Sequence, residues 1–236
     1  MNGENKINMV LAGQGNSGKS TVFNFLTGLH QHIGNWAGKT IEKREGTLFY
    51  RDHIVDVLDL PGIYSLTTVS DEELISREYI IKQNPDWVIN VVDSTNLERS
   101  LIFTLQLLEL ERPVIIALNM TDLAKRKGIT VDAKKLQNIL NVPVIPTVAS
   151  RGSGLTKIID RAIDLKQSKP GRKINKYGKE IEQGIDKLSL LLNGVELPYP
   201  LRWVAIKLLE KDGDITALVS DKKPEAVESA AKITEE

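Results

Sequence analysis

The chain has no cysteine among its 236 residues, which excludes disulfides and thiolate metal sites. It has no excess of one charge, since 31 Lys and Arg stand against 31 Asp and Glu. That balance leaves no whole-chain electrostatic footprint for nucleic acid, and no nucleic-acid partner is expected. No apolar run approaches the roughly 20 residues needed to cross a bilayer. The early run "INMVLA" ends in a glycine loop and reads as a strand rather than a signal peptide, so a soluble, intracellular chain is expected. The histidines His30, His32 and His53 lack metal-ligand spacing next to acidic partners and read as surface or loop residues. There is no internal repeat.

What remains is 41% hydrophobic and 26% charged, the balance of a packed globule. The length suits one medium domain with a small appendage. From residue 6 to 166 the chain alternates strand and helix signals. "KINMVLAG" (6–13) is a strand entering a glycine loop, and "STVFNFLTG" (20–28) a helix closed by Gly28. Residues 29–40 lack apolar periodicity and read as a loop, and 40–60 as two antiparallel strands joined around Arg51 and Asp52. Ser70 and an acidic first turn begin a helix over 70–84. Strands at 86–93, 113–120 and 142–149 then alternate with helices at 96–111, 131–141 and 154–166. Near-continuous Val/Ile runs in such an alternation predict an α/β fold with a mainly parallel sheet covered on both faces. Its sites are expected at the carboxyl ends of the strands. Residues 166–179 carry six basic side chains and no acidic one, with Pro170 and Gly171 between them. They read as a linker, either a solvated connector or a contact for anionic lipid or a partner. Two or three helices and no further strand are expected beyond it. The expected domains are 1–167 and a small all-α domain over 168–236.

"GQGNSGKS" (13–20) fits G-x-x-x-x-G-K-[ST] directly after a strand and at the opening of a helix. In that setting Gly13, Gly15, Asn16, Ser17 and Gly18 can turn backbone N–H groups toward phosphate. The helix N-terminus, with Thr21 in its first turn, adds its positive dipole end. Lys19 would reach the β- and γ-phosphates, and the Ser20 hydroxyl would ligate Mg²⁺. "DLPG" (59–62) ends a predicted strand, where Asp59 would hold Mg²⁺ through water and the Gly62 N–H would sense a γ-phosphate. Ile63 follows, a residue that cannot orient water by hydrogen bonding and is expected to pack. In "NMTD" (119–122) Asp122 can accept from the guanine N1–H and the exocyclic amine that adenine lacks. Asn119 would brace this loop, with Met120 beside it, and contact N7. In "TVASRGSG" (147–154) Val148 and Ala149 occupy the last base-contacting position, with the Ala149 N–H directed at guanine O6. The ordered trio of motifs selects a guanine nucleotide, GTP or GDP. Thr40, in "HIGNWAGKT" (32–40), is the candidate switch-I threonine that completes the Mg²⁺ shell. Trp36 in the same stretch has two readings: a side chain packed on the domain, or one on a mobile loop that changes environment with nucleotide.

"GQGNSGKSTVFNFLTG", "GNWAGKTIEKREG", "VLDLPGIYSL" and "LNMTD" together resemble the N-terminal G domain of ferrous iron transport protein B, the FeoB family. "YPLRWVAIKLLE" resembles that family's helical domain, a guanine-nucleotide dissociation inhibitor. The resemblance covers nearly the whole chain, and "GNWAGKT" is its most specific element. It implies a Ras-like P-loop GTPase on the cytoplasmic face of the cell membrane, tethered to a membrane-embedded iron-permease domain outside the chain. The chain is then a fragment whose last helices are cut short; homo-oligomer formation stays open. The resemblance also implies a source of positive charge where Ras-like proteins carry a water-positioning glutamine. Some members use K⁺ beside the transferring phosphoryl group; by motif, Asn16 and the carbonyls of Gly34 and Trp36 would hold it here. One departure is Gly15, where the family commonly has proline in Gly-Asn-Pro-Asn. The expected activity is slow, Mg²⁺-dependent GTP hydrolysis that switches a ferrous iron transporter. Two alternatives are a GTP-binding module of translation or ribosome-assembly type acting on RNA, and a nucleotide-sensing scaffold with negligible turnover.

Overall fold

The computed structural model describes residues 5–28, 30–67, 70–168 and 176–235. These divide into two compact units. One holds the residues up to Leu108 and those from Arg112 through the sixth helix; the other holds Glu109–Glu111 and the helices that follow.

The first unit is built on a seven-stranded sheet in the order β2-β3-β4-β1-β5-β6-β7. The strands are β1 (Lys6–Gly13), β2 (Gln31–Asn35), β3 (Glu42–Tyr50), β4 (His53–Asp59), β5 (Trp87–Asp93), β6 (Val114–Asn119) and β7 (Val144–Pro146). β1 pairs in parallel with β4 and β5, and β5, β6 and β7 continue in parallel. Among the described strands, β2–β3 and β3–β4 pair antiparallel. The central strands are buried along almost their whole length, as a doubly covered parallel sheet requires.

Side-chain alternation then assigns the helices to faces. Ile7, Met9 and Leu11 of β1 and Ile89 and Val91 of β5 join one core with Val22 and Phe23 of α1 (Lys19–Thr27) and Ile158 and Ile159 of α6 (Leu155–Ser168). The indole N–H of Trp87 donates to the Ala162 carbonyl at 3.0 Å on this face. Asn90 points the other way and donates to Thr104 Oγ1 at 2.7 Å, fixing α3 (Leu97–Glu109) on the opposite face. α2 (Asp71–Lys82) starts at Ser70, whose hydroxyl accepts from the Glu73 N–H at 3.2 Å, as its acidic first turn predicts.

Three expectations in this unit need correction. The stretch read as a loop contains the edge strand β2, whose side chains are half-buried or exposed. Its backbone pairing with β3, from Gln31 opposite Gly46 to Asn35 opposite Glu42, makes it a strand, and pairing leaves no hydrophobic period to read. The strand expected over 142–149 is regular only at Val144–Pro146. A short helix, α4 (Thr121–Arg126), follows β6 and is too brief for a periodic signal; α5 (Ala133–Leu140) comes where a helix is expected.

Among the described residues the second unit has four helices where two or three are expected: α7 (Lys179–Leu191), α8 (Leu201–Leu209), α9 (Gly213–Ser220) and α10 (Pro224–Glu235). The unexpected one is α9, a short helix capped by Asp212, whose carboxylate accepts from the Ile215 N–H at 3.1 Å. Ile185, Leu188, Trp203, Val204, Ile215, Val219, Ala226 and Ala230 are buried in these helices. Arg202 of α8 forms a two-pronged pair with Glu182 of α7 at 2.6 and 2.8 Å. Of the expected linker, 169–175 lies outside the described residues.

Candidate functional site

The carboxyl ends of β1, β4 and β6 and the loop beyond β7 bring the three motifs together. The β1 end passes into the phosphate loop, and two of its glycines are there for lack of room. A Cβ on Gly13 would stand 2.6 Å from the Val91 carbonyl oxygen. Gly18 has φ +88, and its Cβ would stand 2.3 Å from Asn119 Nδ2. Asn16, at φ 64, takes the left-handed region that asparagine tolerates. Ser17 is buried, and its hydroxyl oxygen has no hydrogen-bond partner among the described residues. A buried hydroxyl left open beside a helix N-terminus suits an anion.

Lys19 begins α1 and is only 8% exposed. Its ammonium donates to Asp59 Oδ1 and to the Leu60 carbonyl. Asp59, at the end of β4, is 7% exposed, and burial pushes its carboxyl above the ordinary carboxylate value while Lys19 pulls it back. The chain then runs along the phosphate loop. The Leu60 N–H donates to Leu11 O at 3.1 Å and the Ile63 N–H to Gly13 O at 3.2 Å. A Cβ on Gly62 would stand 3.3 Å from the Gly15 backbone, so the two main chains nearly touch. Ile63 itself is buried.

The base side is organised by Asn119, the last residue of β6. Its Nδ2 donates to the Ser17 carbonyl at 3.0 Å. Its Oδ1 accepts from the Ala149 N–H at 2.9 Å and from Thr147 Oγ1 at 3.3 Å. One buried amide thus holds the phosphate loop and both base-side loops. Met120 turns the chain at φ 59 into α4, which presents Asp122 in its first turn. The Asp122 carboxylate is partly exposed, with the guanidinium groups of Arg126 and Arg151 only at 3.7 and 4.0 Å. The Val148 N–H is taken up by the Ser153 carbonyl at 3.0 Å.

Ser20, Thr21, Asn16 and Gly62 are exposed around the phosphate loop. Thr40 is exposed in the turn between β2 and β3, which is closed by the Trp36 N–H donating to Ile41 O at 2.9 Å. Gly34 is in β2 opposite Lys43, and the Trp36 carbonyl accepts from the Lys39 N–H at 3.0 Å. Among the described residues, no hydrogen bond joins Thr40, Gly34 or Trp36 to the phosphate loop. Trp36 packs edge-on against Tyr79 of α2, ring centroids 5.5 Å apart, with the Lys43 ammonium 5.4 Å from the indole. The side chain is half-buried there.

Sequence reasoning missed the bond from Gln14 Nε2 to the Arg99 carbonyl, at 2.8 Å, and the Arg99 guanidinium 4.5 Å from the Tyr64 ring centroid. Neither contact carries a sequence signature, since one uses a backbone carbonyl and the other joins two segments far apart in the chain.

Residues 7–162 match the family model for ferrous iron transport protein B, and residues 177–236 match that for the FeoB cytosolic helical domain. The chain is 42% identical over 212 residues to the Fe(2+) transporter FeoB of Escherichia coli K12, an alignment covering 88% of this chain and 27% of the relative. It is 42% identical over 224 residues to a Porphyromonas gingivalis fusion of Fe(2+) transport protein A with FeoB, covering 91% of this chain and 26% of that one. The chain therefore spans about a quarter of the length of these relatives. Among solved structures, an S. thermophilus NFeoB mutant bound to GDP superposes with a TM-score of 0.88 at 36% identity, covering 97% of this chain and 90% of that one. The cytosolic domain of the T. maritima FeoB iron transporter in a GMPPNP form gives 0.83 at 34% identity, covering 96% and 98%. With both of its units matched in order, the chain belongs to the ferrous iron transport protein B family.

Proposed function

We propose that this chain binds GTP and GDP and slowly hydrolyses GTP, as the cytoplasmic module of a ferrous iron transporter. The observation that supports this most is the Asn119 amide, which ties the Ser17 carbonyl of the phosphate loop to the Ala149 N–H of the base side. The solved relatives bound to GDP and GMPPNP support the same reading.

In this reading Lys19 exchanges Asp59 and the Leu60 carbonyl for the β- and γ-phosphates. Gly13, Gly15, Ser17, Gly18 and Thr21 surround the phosphates, and the open Ser17 hydroxyl gains an acceptor. Asp122 reads the guanine N1–H and amine, Met120 and Val148 flank the base, and the Ala149 N–H is shared between Asn119 and guanine O6. The Gly62 N–H follows the γ-phosphate while buried Ile63 keeps bulk water from that side.

The oxygen donors Ser20, Thr40 and Asp59 fit Mg²⁺, a hard cation. These three residues would hold it, and when bound it would neutralise phosphate charge. Asn16, exposed at the turn of the phosphate loop, and the Gly34 and Trp36 carbonyls offer oxygen donors of the kind K⁺ takes, since each carbonyl keeps a second lone pair. When bound, K⁺ supplies the positive charge that an arginine finger supplies elsewhere. The domains are assigned as 1–167 for the GTPase and 168 onward for the helical unit. The partner is a membrane-embedded iron-permease domain. Among the described residues no helix is long and apolar enough to cross a membrane.

Calorimetric titration of GDP, XDP and ADP into the wild type and Asp122→Asn tests the assignment. The wild type should select GDP, and the variant should lose GDP affinity and gain XDP affinity, because an acceptor becomes a donor. Unchanged GDP selectivity in the variant would refute the base site.

A further inference from the structure

Gln14 to Arg99 to Tyr64 to Gly15 is a closed circuit. Gln14 is 8% exposed, and its Nε2 donates to the Arg99 carbonyl at 2.8 Å. The Arg99 guanidinium lies 4.5 Å from the Tyr64 ring centroid. The Tyr64 hydroxyl stands 3.3 Å from where a Cβ on Gly15 would be. Tyr64 is 47% exposed, so burial alone does not fix its ring. Arg99, for its part, lies in α3, which follows the end of β5 through one short helical turn.

We propose that Arg99 is a positioning residue that couples the phosphate loop to the segment after Asp59. Its backbone carbonyl holds Gln14, and its guanidinium holds Tyr64 over Gly15. Between these anchors lie Gly62, which nearly touches Gly15, and Ile63, whose N–H is already on Gly13. Ile63 brings no polar group to this segment. The position of the Gly62 N–H is therefore set by its flanks, and on the Tyr64 flank the anchor is Arg99. The chemistry served is that of the terminal phosphate of a nucleoside triphosphate; a diphosphate does not reach Gly62. This inference rests on the reading of the site as one for GTP.

The experiment is a double-mutant cycle of Arg99→Ala, Tyr64→Ala and the pair, with phosphate release from GTP, GDP and GMPPNP affinities, and melting temperature measured for each. Each single variant should lower kcat about two- to fivefold with the GDP affinity within about twofold. The double variant should be no slower than the slower single, a coupling of about two- to fivefold, the size of an exposed cation–π pair. Arg99→Lys and Tyr64→Phe should recover most of what the alanines lose. Independent, multiplicative losses would overturn the proposal, as would a GDP affinity that falls in step with kcat. A wild type without phosphate release would remove the hydrolytic part of the proposed function, not this coupling. The ratio of GMPPNP to GDP affinity then decides: it should drop at least about threefold in Arg99→Ala, and an unchanged ratio overturns the coupling.

Discussion

Asn119 Nδ2 donates to the Ser17 carbonyl at 3.0 Å, joining a base-side loop to the phosphate loop across 102 residues of sequence. The same side chain accepts from Ala149 and Thr147, so its removal opens three hydrogen bonds at once. Asn119→Ala leaves a buried carbonyl and a buried N–H without partners, each costing about 1–3 kcal/mol. GDP affinity should fall by at least about tenfold by calorimetry, with a lower melting temperature. Asn119→Asp keeps the acceptor and loses the donor, and its GDP affinity should lie between the two. An alanine variant that binds GDP like the wild type would mean the amide only braces the apo loops.

Gly18 is the other half of that contact. Alanine there must hold φ +88 and put a Cβ 2.3 Å from Asn119 Nδ2. The backbone strain alone is about 1–3 kcal/mol. Gly18→Ala should therefore lose GDP binding about as Asn119→Ala does, and the two should not add. Gly15→Ala makes a useful contrast, because its Cβ meets only the movable Tyr64 hydroxyl at 3.3 Å. It should cost GDP affinity much less. Equal losses in the two glycine variants would contradict this account of the loop.

How much of this was legible in the sequence follows from what each feature depends on. The phosphate loop, Asp59 and Asn119 could be found because glycine freedom and polar residue types have fixed spacings there. The central strands could be found because double burial writes continuous Val and Ile. β2 could not, since backbone pairing at a sheet edge leaves no side-chain period. α4 and α9 are shorter than the windows in which a 3.6-residue period emerges. The Gln14–Arg99 bond spans 85 residues and uses a backbone carbonyl, which carries no sequence signature. Trp36 could be suspected from its size, but its partner Tyr79 on α2 could not.

In the helical unit the Glu182–Arg202 pair gives a pH test. The Arg202 guanidinium holds the Glu182 carboxyl below its ordinary value of 4.5. In that range the unfolded chain binds more protons, so the pair's contribution is present above pH 4.5 and is lost as pH falls through the lowered folded value. Glu182→Gln should melt about 2–4 °C below the wild type at pH 7. The gap should close as the pH is taken down past the folded value, followed by circular dichroism. A gap constant with pH would assign the loss to packing instead of charge.

The most direct measurement of the central claim is phosphate release from GTP with Mg²⁺, in K⁺ and in Na⁺, for the wild type and Asn16→Ala. The wild type should turn over slowly and about tenfold or more faster in K⁺. Asn16→Ala should lose that advantage while its GDP affinity stays within about threefold. Equal wild-type rates in the two salts would contradict the potassium mechanism, and no release in either would contradict the GTPase.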